Sequence, residues 1–384
     1  MKIDKLISFI KKNFRQKRIF LNEPIINKID EKSVNKTIKS TFVSSAGKAT
    51  KLFEQKVASI TGSKYAIAVN SGTSALFLSL IAAGVKKNEE VFVPSMSYVA
   101  SANAILYNGS IPHFVEVKKE NIGINFKKLE NYVNKNFSVK KNKLINNKNG
   151  NIVKALILVH VFGQPADPEV AKKFCKKYKL KLIEDAAGAV GSYYKKKHLG
   201  TFGDAGIISF NGNKTITTGA GGIVLTNNKS ISDLVYNLST VNKTNDKLDF
   251  NFRQIGYNSR MPSLNAALGL SQISKLGKIL SSKKNIAKKY ETFFNENFNN
   301  ELIFLKKQKN TKPNFWLNAI FIKNSNLKKR NQLLIDLSKN NIFCRPIWKP
   351  LHLLPHFKKY QKMNLSTTNL IHKSVINLPS SPIL

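Results

Sequence analysis

Cysteine is almost missing from this chain. Cys175 and Cys344 are the only two, and they lie far apart, with neither zinc-ligand spacing nor the makings of a disulfide framework. Long apolar runs are missing as well. "VKALILVHVFG" (153–163) is among the longest, short of the roughly 18 residues a spanning helix requires. The N-terminus, "MKIDKLISFIKKNFRQKRIF", lacks the apolar core and small-residue cleavage site of a secretory signal. The expected compartment is the cytosol. Acidic residues are the third scarcity: 22 Asp and Glu face 63 Lys and Arg, a formal charge of +41. Such an excess raises nucleic acid or an anionic membrane as partners. The lysines, however, are scattered through every segment among Asn and Ile. Zinc-finger spacing, an RNA-recognition aromatic motif and a basic heptad array are all missing. Nucleic acid is therefore not the expected partner, and the positive field is read as steering small anions such as nucleotide diphosphates.

What is present is a chain of 384 residues, 42% apolar, long enough for one large domain and a smaller one. From residue 65 onward, short apolar runs alternate with helical patterns. "YAIAVN" (65–70), "EVFVPS" (90–95), "PHFVEV", "VKALILVH" (153–160), "LKLIEDA" (180–186), "AGIISF" (205–210) and "GGIVLT" (221–226) read as strands. That alternation predicts an α/β fold with a mostly parallel sheet covered by helices, whose ligands bind at the carboxyl ends of strands. Residues 1–18 read as a basic N-terminal extension, Ile3, Leu6, Ile7 and Ile10 falling on one side of a solvated helix, with loose membrane-surface contact as the alternative. The Lys/Asn-rich stretch 131–151 reads as a surface insertion. The large domain is expected to span 19–279, and a smaller α+β domain 280–384.

Three pieces fall at strand ends. In "NSGTSAL" (70–76), Gly72 permits a sharp turn and a helix is expected to begin at Thr73 or Ser74. Free N–H groups there, the helix dipole and the hydroxyls make a phosphate site, although Ser and Thr are also ordinary N-caps. In "LIEDAAG" (182–188), Glu184 and Asp185 end a strand, where a carboxylate serves as helix cap, metal ligand or partner of a protonated ring nitrogen. In "SFNGNKTITTGAGG" (209–222), Ser209 ends a strand and Lys214 follows in a small, polar, glycine-rich loop. A lysine held there can become a neutral nucleophilic amine. Together the three fit pyridoxal 5′-phosphate (PLP). Gly72, Thr73, Ser74 and Ser209 would hold its phosphate, Asp185 would keep the pyridine nitrogen protonated, and Lys214 would bond the aldehyde carbon. Tyr98, in "VPSMSYVASANAI", is placed to cover the open face of the ring.

The segments "FVSSAGKATKLFE", "NSGTSALFLSLIAAGV", "EVFVPSMSYVASANAI", "IEDAAGAVGS", "GTFGDAGIISFNGNKTITTGAGGIVLT", "IGYNSRMPSLNAALG" and "RPIWKPLH" resemble the DegT/DnrJ/StrS family of sugar aminotransferases, from about residue 20 to the C-terminus. "SFNGNKTITTG" and "RPIWKPLH" most resemble the LegC-type branch, which aminates C4 of UDP-linked 4-keto-6-deoxy-N-acetylhexosamines. The resemblance implies PLP fold type I and a homodimer with shared active sites, with L-glutamate as amino donor. It implies that Asn258 reaches the cofactor phosphate of the neighbouring subunit, and that Arg345, Trp348, Lys349 and His352 lie near the nucleotide-sugar. Two positions depart from the pattern. Gly188 stands where many members carry Gln, His or Glu, which implies a gap or a water beside the ring. Ala220 stands where many carry Glu, although small residues occur there in the LegC-type branch. Members that dehydrate sugars replace the Schiff-base lysine with histidine, so Lys214 implies transamination. A GDP- or dTDP-linked ketosugar remains the alternative substrate. A catalytically silent PLP-fold protein is the alternative outside enzymes, against which the complete Lys214/Asp185/Ser209 set speaks.

Overall fold

The computed structural model describes residues 3–383 apart from 245–248, 250, 253 and 299–300. Three helices, α1 (Ile3–Asn13), α2 (Lys28–Lys39) and α3 (Lys48–Thr61), precede the first strand. Strand and helix then alternate through β1 (Tyr65–Val69), α4 (Gly72–Ala82), β2 (Glu90–Pro94), α5 (Ala100–Tyr107), β3 (Ile111–Val115) and α6 (Phe126–Asn136). The hairpin of β4 (Phe137–Lys140) and β5 (Lys143–Asn146) leads into β6 (Ile152–Val159), α7 (Pro168–Tyr178) and β7 (Lys181–Asp185). The short β8 (Tyr193–Tyr194) and β9 (Lys197–His198) precede β10 (Ala205–Ser209) and β11 (Gly222–Thr226). After α8 (Lys229–Ser239) comes α9 (Ser263–Asn297), 35 residues long. The remainder holds β12 (Leu302–Phe304), β13 (Thr311–Lys312), β14 (Asn318–Ile322), α10 (Leu327–Lys339), β15 (Arg345–Pro346), α11 (Ser366–Ser374) and β16 (Val375–Leu378).

The central sheet runs β1-β11-β10-β7-β6-β2-β3. Pairing is parallel from β10 across to β3, and β11 is antiparallel to both its neighbours. Parallel strands need a crossover long enough for a helix. Phe210–Gly221 is a loop without one, so β11 must run back beside β10. Every residue of β2, β10 and β11 is buried, as helices on both faces require. The parallel strands therefore deliver their carboxyl ends to one edge of the sheet.

Two expectations need correction. The stretch 131–151 is not a loose insertion: β5 pairs with β6, Leu144 is buried, and the Asn146 amide donates to Glu90 at 2.9 Å. The N-terminal helix is not solvated on its apolar side. Leu6, Ile10 and Phe14 are buried with Ile286, Tyr290 and Phe294 of α9 and with Ile320 and Ile376 of the second sheet, order β12-β14-β16-β15, while Phe9 stacks on Phe293 at 4.0 Å. The helix thus completes a second core instead of leaving the body of the protein. The position expected for the domain boundary, 279/280, falls inside α9, whose residues up to Ile279 pack in one core and from Ile286 onward in the other.

Because Leu6 and Ile10 are fully buried, Leu6→Ala or Ile10→Ala should cost about 2–5 kcal/mol in denaturant unfolding. A solvated helix would leave the midpoint unchanged.

Candidate active site

Five strand ends meet around one cavity of about 340 Å³. After β1, α4 begins at Gly72, one residue earlier than the sequence pattern suggests. Ser71 is its N-cap, accepting from the Ser74 backbone N–H at 3.0 Å. The first N–H groups of a helix have no partner within it, and Gly72 and Thr73 line the cavity, so they are free to hold an anion. Ser74 does not line the cavity; its hydroxyl lies 2.9 Å from that of Ser71, which does. Two glycines let this turn close. A Cβ at Gly72 would stand 2.9 Å from the Cβ of Ser209, and one at Gly222 would stand 2.4 Å from the Ser71 carbonyl oxygen. Ser209 is thereby pressed against the helix start, hydroxyl beside N–H.

At the end of β7, Asp185 is 6% exposed and lines the cavity. One carboxylate oxygen accepts from the Ser101 hydroxyl at 2.6 Å and the other from the Ala187 N–H at 3.1 Å. The proton of Ser101 being committed, Ser97 donates to Ser101 at 2.7 Å, and a relay of two hydroxyls fixes the carboxylate. Neither serine stood out in sequence, although both fall in the segment that contains Tyr98. Glu184, the other acid of the pair, is structural. It accepts from His160 Nε2 at 3.0 Å and from the N–H groups of Gly200, Phe202 and Gly203. Burial alone would raise its pKa; the bonds from His160, Gly200 and Gly203 outweigh burial and hold it below the ordinary carboxylate value. His160 lines the cavity, and its Nδ1 accepts from Ala166, so Nε2 carries the proton given to Glu184.

Lys214 projects from the β10–β11 loop into the same cavity. The loop is held at many points. Thr217 and Thr218 bond back to Phe210, Asn265 donates to Thr218 and Ala220, and Asn314 donates to Thr215. The carbonyl of Asn213 accepts two side-chain donors, Asn22 Nδ2 and Trp316 Nε1, both at 2.8 Å. Burial lowers the Lys214 amine to a pKa of about 8, against the pull of Asp185, whose charge favours the ammonium.

Trp316 was not singled out by sequence reading, yet it forms a cavity wall. Lys214 Nζ stands 3.6 Å from the centroid of its ring. The indole also answers the question posed by Gly188: a Cβ at that position would lie 2.1 Å from a Trp316 ring carbon. The expected gap or water is filled by an aromatic ring arriving from another part of the chain. Tyr98, 58% exposed, and Trp348 line the opposite side with ring centroids 6.0 Å apart. Ala220 lines the cavity as well.

Four expected residues are not brought to the cavity wall. Asn258 is exposed and forms an isolated bridge with Thr240. Arg345 and Lys349 are exposed outside the lining. His352 is buried, its Nδ1 2.7 Å from the Ser95 hydroxyl at the end of β2, and burial holds its pKa below the ordinary imidazole value. It lies outside the cavity lining. Of the "RPIWKPLH" segment only Trp348 lines the cavity.

The donors suit PLP: N–H groups and Ser209 for a phosphate, a braced carboxylate for a ring nitrogen, and a desolvated amine for an aldehyde. Fold and site together define a PLP-dependent aminotransferase of fold type I. The chain belongs to the DegT/DnrJ/EryC1/StrS aminotransferase family, whose model matches residues 24–384. It is 35% identical over 369 residues to GDP-perosamine synthase of Escherichia coli O157:H7, covering 96% of this chain and 94% of that protein. It is 28% identical to UDP-4-amino-4,6-dideoxy-N-acetyl-beta-L-altrosamine transaminase of Campylobacter jejuni, covering 92% and 90% of the two chains. Among solved structures, PseC of Helicobacter pylori, an aminotransferase involved in the biosynthesis of pseudoaminic acid, superposes with a TM-score of 0.84 at 27% identity, covering 94% and 93%.

Two outcomes follow from this geometry. The neutral amine is the nucleophile, so capture of PLP by the apoenzyme should quicken as pH rises through about 8 and then level off. Stopped-flow absorbance reads this; an ordinary lysine would keep quickening to a pH of roughly 10. Gly188→Ala should displace Trp316 and lower kcat/KM by roughly tenfold or more, measured by steady-state kinetics.

Proposed function

We propose that this sugar aminotransferase moves an amino group from L-glutamate to C4 of a nucleotide-linked 4-keto-6-deoxy sugar, working as a homodimer. The observation that carries this reading is the convergence of Lys214, Asp185, Ser209 and the start of α4 on one cavity. PLP, when bound, supplies an electron sink that stabilises the carbanion formed on either substrate. The protein's part is to hold and move protons. Ser101 and Ala187 aim the Asp185 carboxylate at the ring nitrogen and keep it from turning away. The start of α4 and Ser209 anchor the phosphate. When not bonded to the cofactor, Lys214 Nζ would be a base of suitable strength to take a proton from the donor's Cα and return it to the cofactor's aldehyde carbon. Trp316 keeps water from that amine. Asn258, exposed and outside its own chain's cavity, suits a role across the dimer interface.

A cavity of about 340 Å³ suits the cofactor and the reacting sugar, leaving the nucleotide at the mouth beside the Tyr98–Trp348 pair. The +41 charge favours diphosphate arrival there. The 35% likeness to a GDP-perosamine synthase favours a GDP-linked sugar over the UDP-linked one expected from the LegC-type motifs. The 28% likeness to a UDP-sugar transaminase supports the second reading.

The deciding experiment supplies 15N-labelled L-glutamate with either GDP- or UDP-linked 4-keto-6-deoxy sugar and follows the label by mass spectrometry and NMR. Label at C4 of the GDP-sugar is the expected result. Label only in the UDP-sugar would exchange the two readings, and label in neither would sink both. Lys214→Ala should abolish transfer, and Asp185→Ala should reduce it by roughly a hundredfold or more with the fold retained by circular dichroism.

A further inference from the structure

Lys283 lies in the middle of α9 and is 1% exposed, among the largest wholly buried side chains of the protein. Its ammonium donates to Asn22 Oδ1 at 2.6 Å, to the Ser380 carbonyl at 2.6 Å and to the Trp316 carbonyl at 3.2 Å. Three protons thus meet three oxygens, and none belongs to a carboxylate. Among the described residues no charge offsets it, and burial draws its pKa down to about 7. Burying a cation with no carboxylate beside it is costly, so it needs a reason to be present.

That reason is what its acceptors do with their other ends. As an ammonium Lys283 has only N–H groups to offer, so Asn22 turns its oxygen toward it and its amide away. The amide nitrogen then donates to the Asn213 carbonyl at 2.8 Å and reaches the Lys214 carbonyl at 3.5 Å. Trp316, held by its own carbonyl, donates its indole N–H to the same Asn213 carbonyl at 2.8 Å and lays its ring beside Lys214 Nζ. Both side-chain clamps on the peptide preceding Lys214 therefore end on one buried ammonium. Four distant segments meet there: the stretch before α2, the middle of α9, the entry to β14 and the stretch after β16.

We infer that Lys283 is a positioning residue for Lys214: by fixing the orientation of Asn22 and the seat of Trp316, it sets the direction from which the Lys214 amine meets the cofactor. The inference rests on Lys214 being the point of cofactor attachment. It places the control of that amine's aim on α9, outside the cavity.

The test compares wild type, Lys283→Met, Asn22→Ala and Lys214→Ala. Each apoprotein is mixed with PLP, and three signals are read: the rate at which the long-wavelength band of lysine-bound cofactor develops, the visible circular dichroism of that band, and its pH midpoint. Thermal unfolding is followed alongside. Lys283→Met is expected to capture PLP between roughly tenfold and a hundredfold more slowly, with altered visible dichroism and a shifted pH midpoint, and its thermal midpoint should fall because three buried oxygens lose their donor. Asn22→Ala should change the same three signals in the same direction. Wild-type values for all three signals in both variants would overturn the inference, whatever their thermal midpoints. Should Lys283→Met fail to fold, Asn22→Ala decides alone. A wild type that shows no band, or a Lys214→Ala variant that keeps it, would instead overturn the reading of Lys214.

Discussion

An amine kept short of water is the constraint on which this active site depends. If Lys214 is to attack an aldehyde as we propose, it must be uncharged often enough, and burial lowers its affinity for a proton. A flexible loop would let water back. Here the loop is pinned by threonines to its own backbone, by Asn265 and Asn314 from outside, and by two donors on one carbonyl. The reversal of β11 serves the same end, because a loop between adjacent antiparallel strands is tethered at both ends by the sheet.

The scarcity of acids takes on meaning in the folded chain. Asp30, Glu90, Glu116, Glu184 and Asp185 are all buried, and each gathers several donors. Glu184 ties the turn after β9 to His160. Glu116 receives two N–H groups and a hydroxyl from the start of α11, and Asp30 joins α2 to Ser271, Gln272 and Lys275 of α9. A buried carboxylate with full hydrogen bonding is a strong organiser, since losing any donor leaves charge uncompensated. With so many acids committed inside, few remain to neutralise the surface lysines.

The parallel stretch of the sheet, the strand-end placement of Asp185 and Ser209, and the loop that carries Lys214 were all legible in the sequence. They depend on local runs and on a topological rule about strand ends. The contributions of Trp316, Asn22 and Ser101 were not legible, because each acts through a neighbour remote in the chain. Gly188 shows the limit well: its neighbour in space is set by how β14 enters the second sheet, which no local pattern encodes. The N-terminal helix was misjudged for a related reason. Its apolar stripe was visible, but the surface waiting for it is made by α9 and β14, far along the chain. The bond of His352 to Ser95 was not legible for the same reason, since the two residues lie at opposite ends of the sequence.

The chain contains two tryptophans, and both Trp316 and Trp348 line the cavity. Neither is spent on a distant core. The tryptophan emission of the protein, excited at wavelengths that tyrosine does not absorb, therefore originates at this cavity. Energy transfer to a bound pyridoxal ring would quench it without any background from elsewhere. The protein carries its own optical gauge of occupancy, and needs no attached dye to report when its site fills or empties.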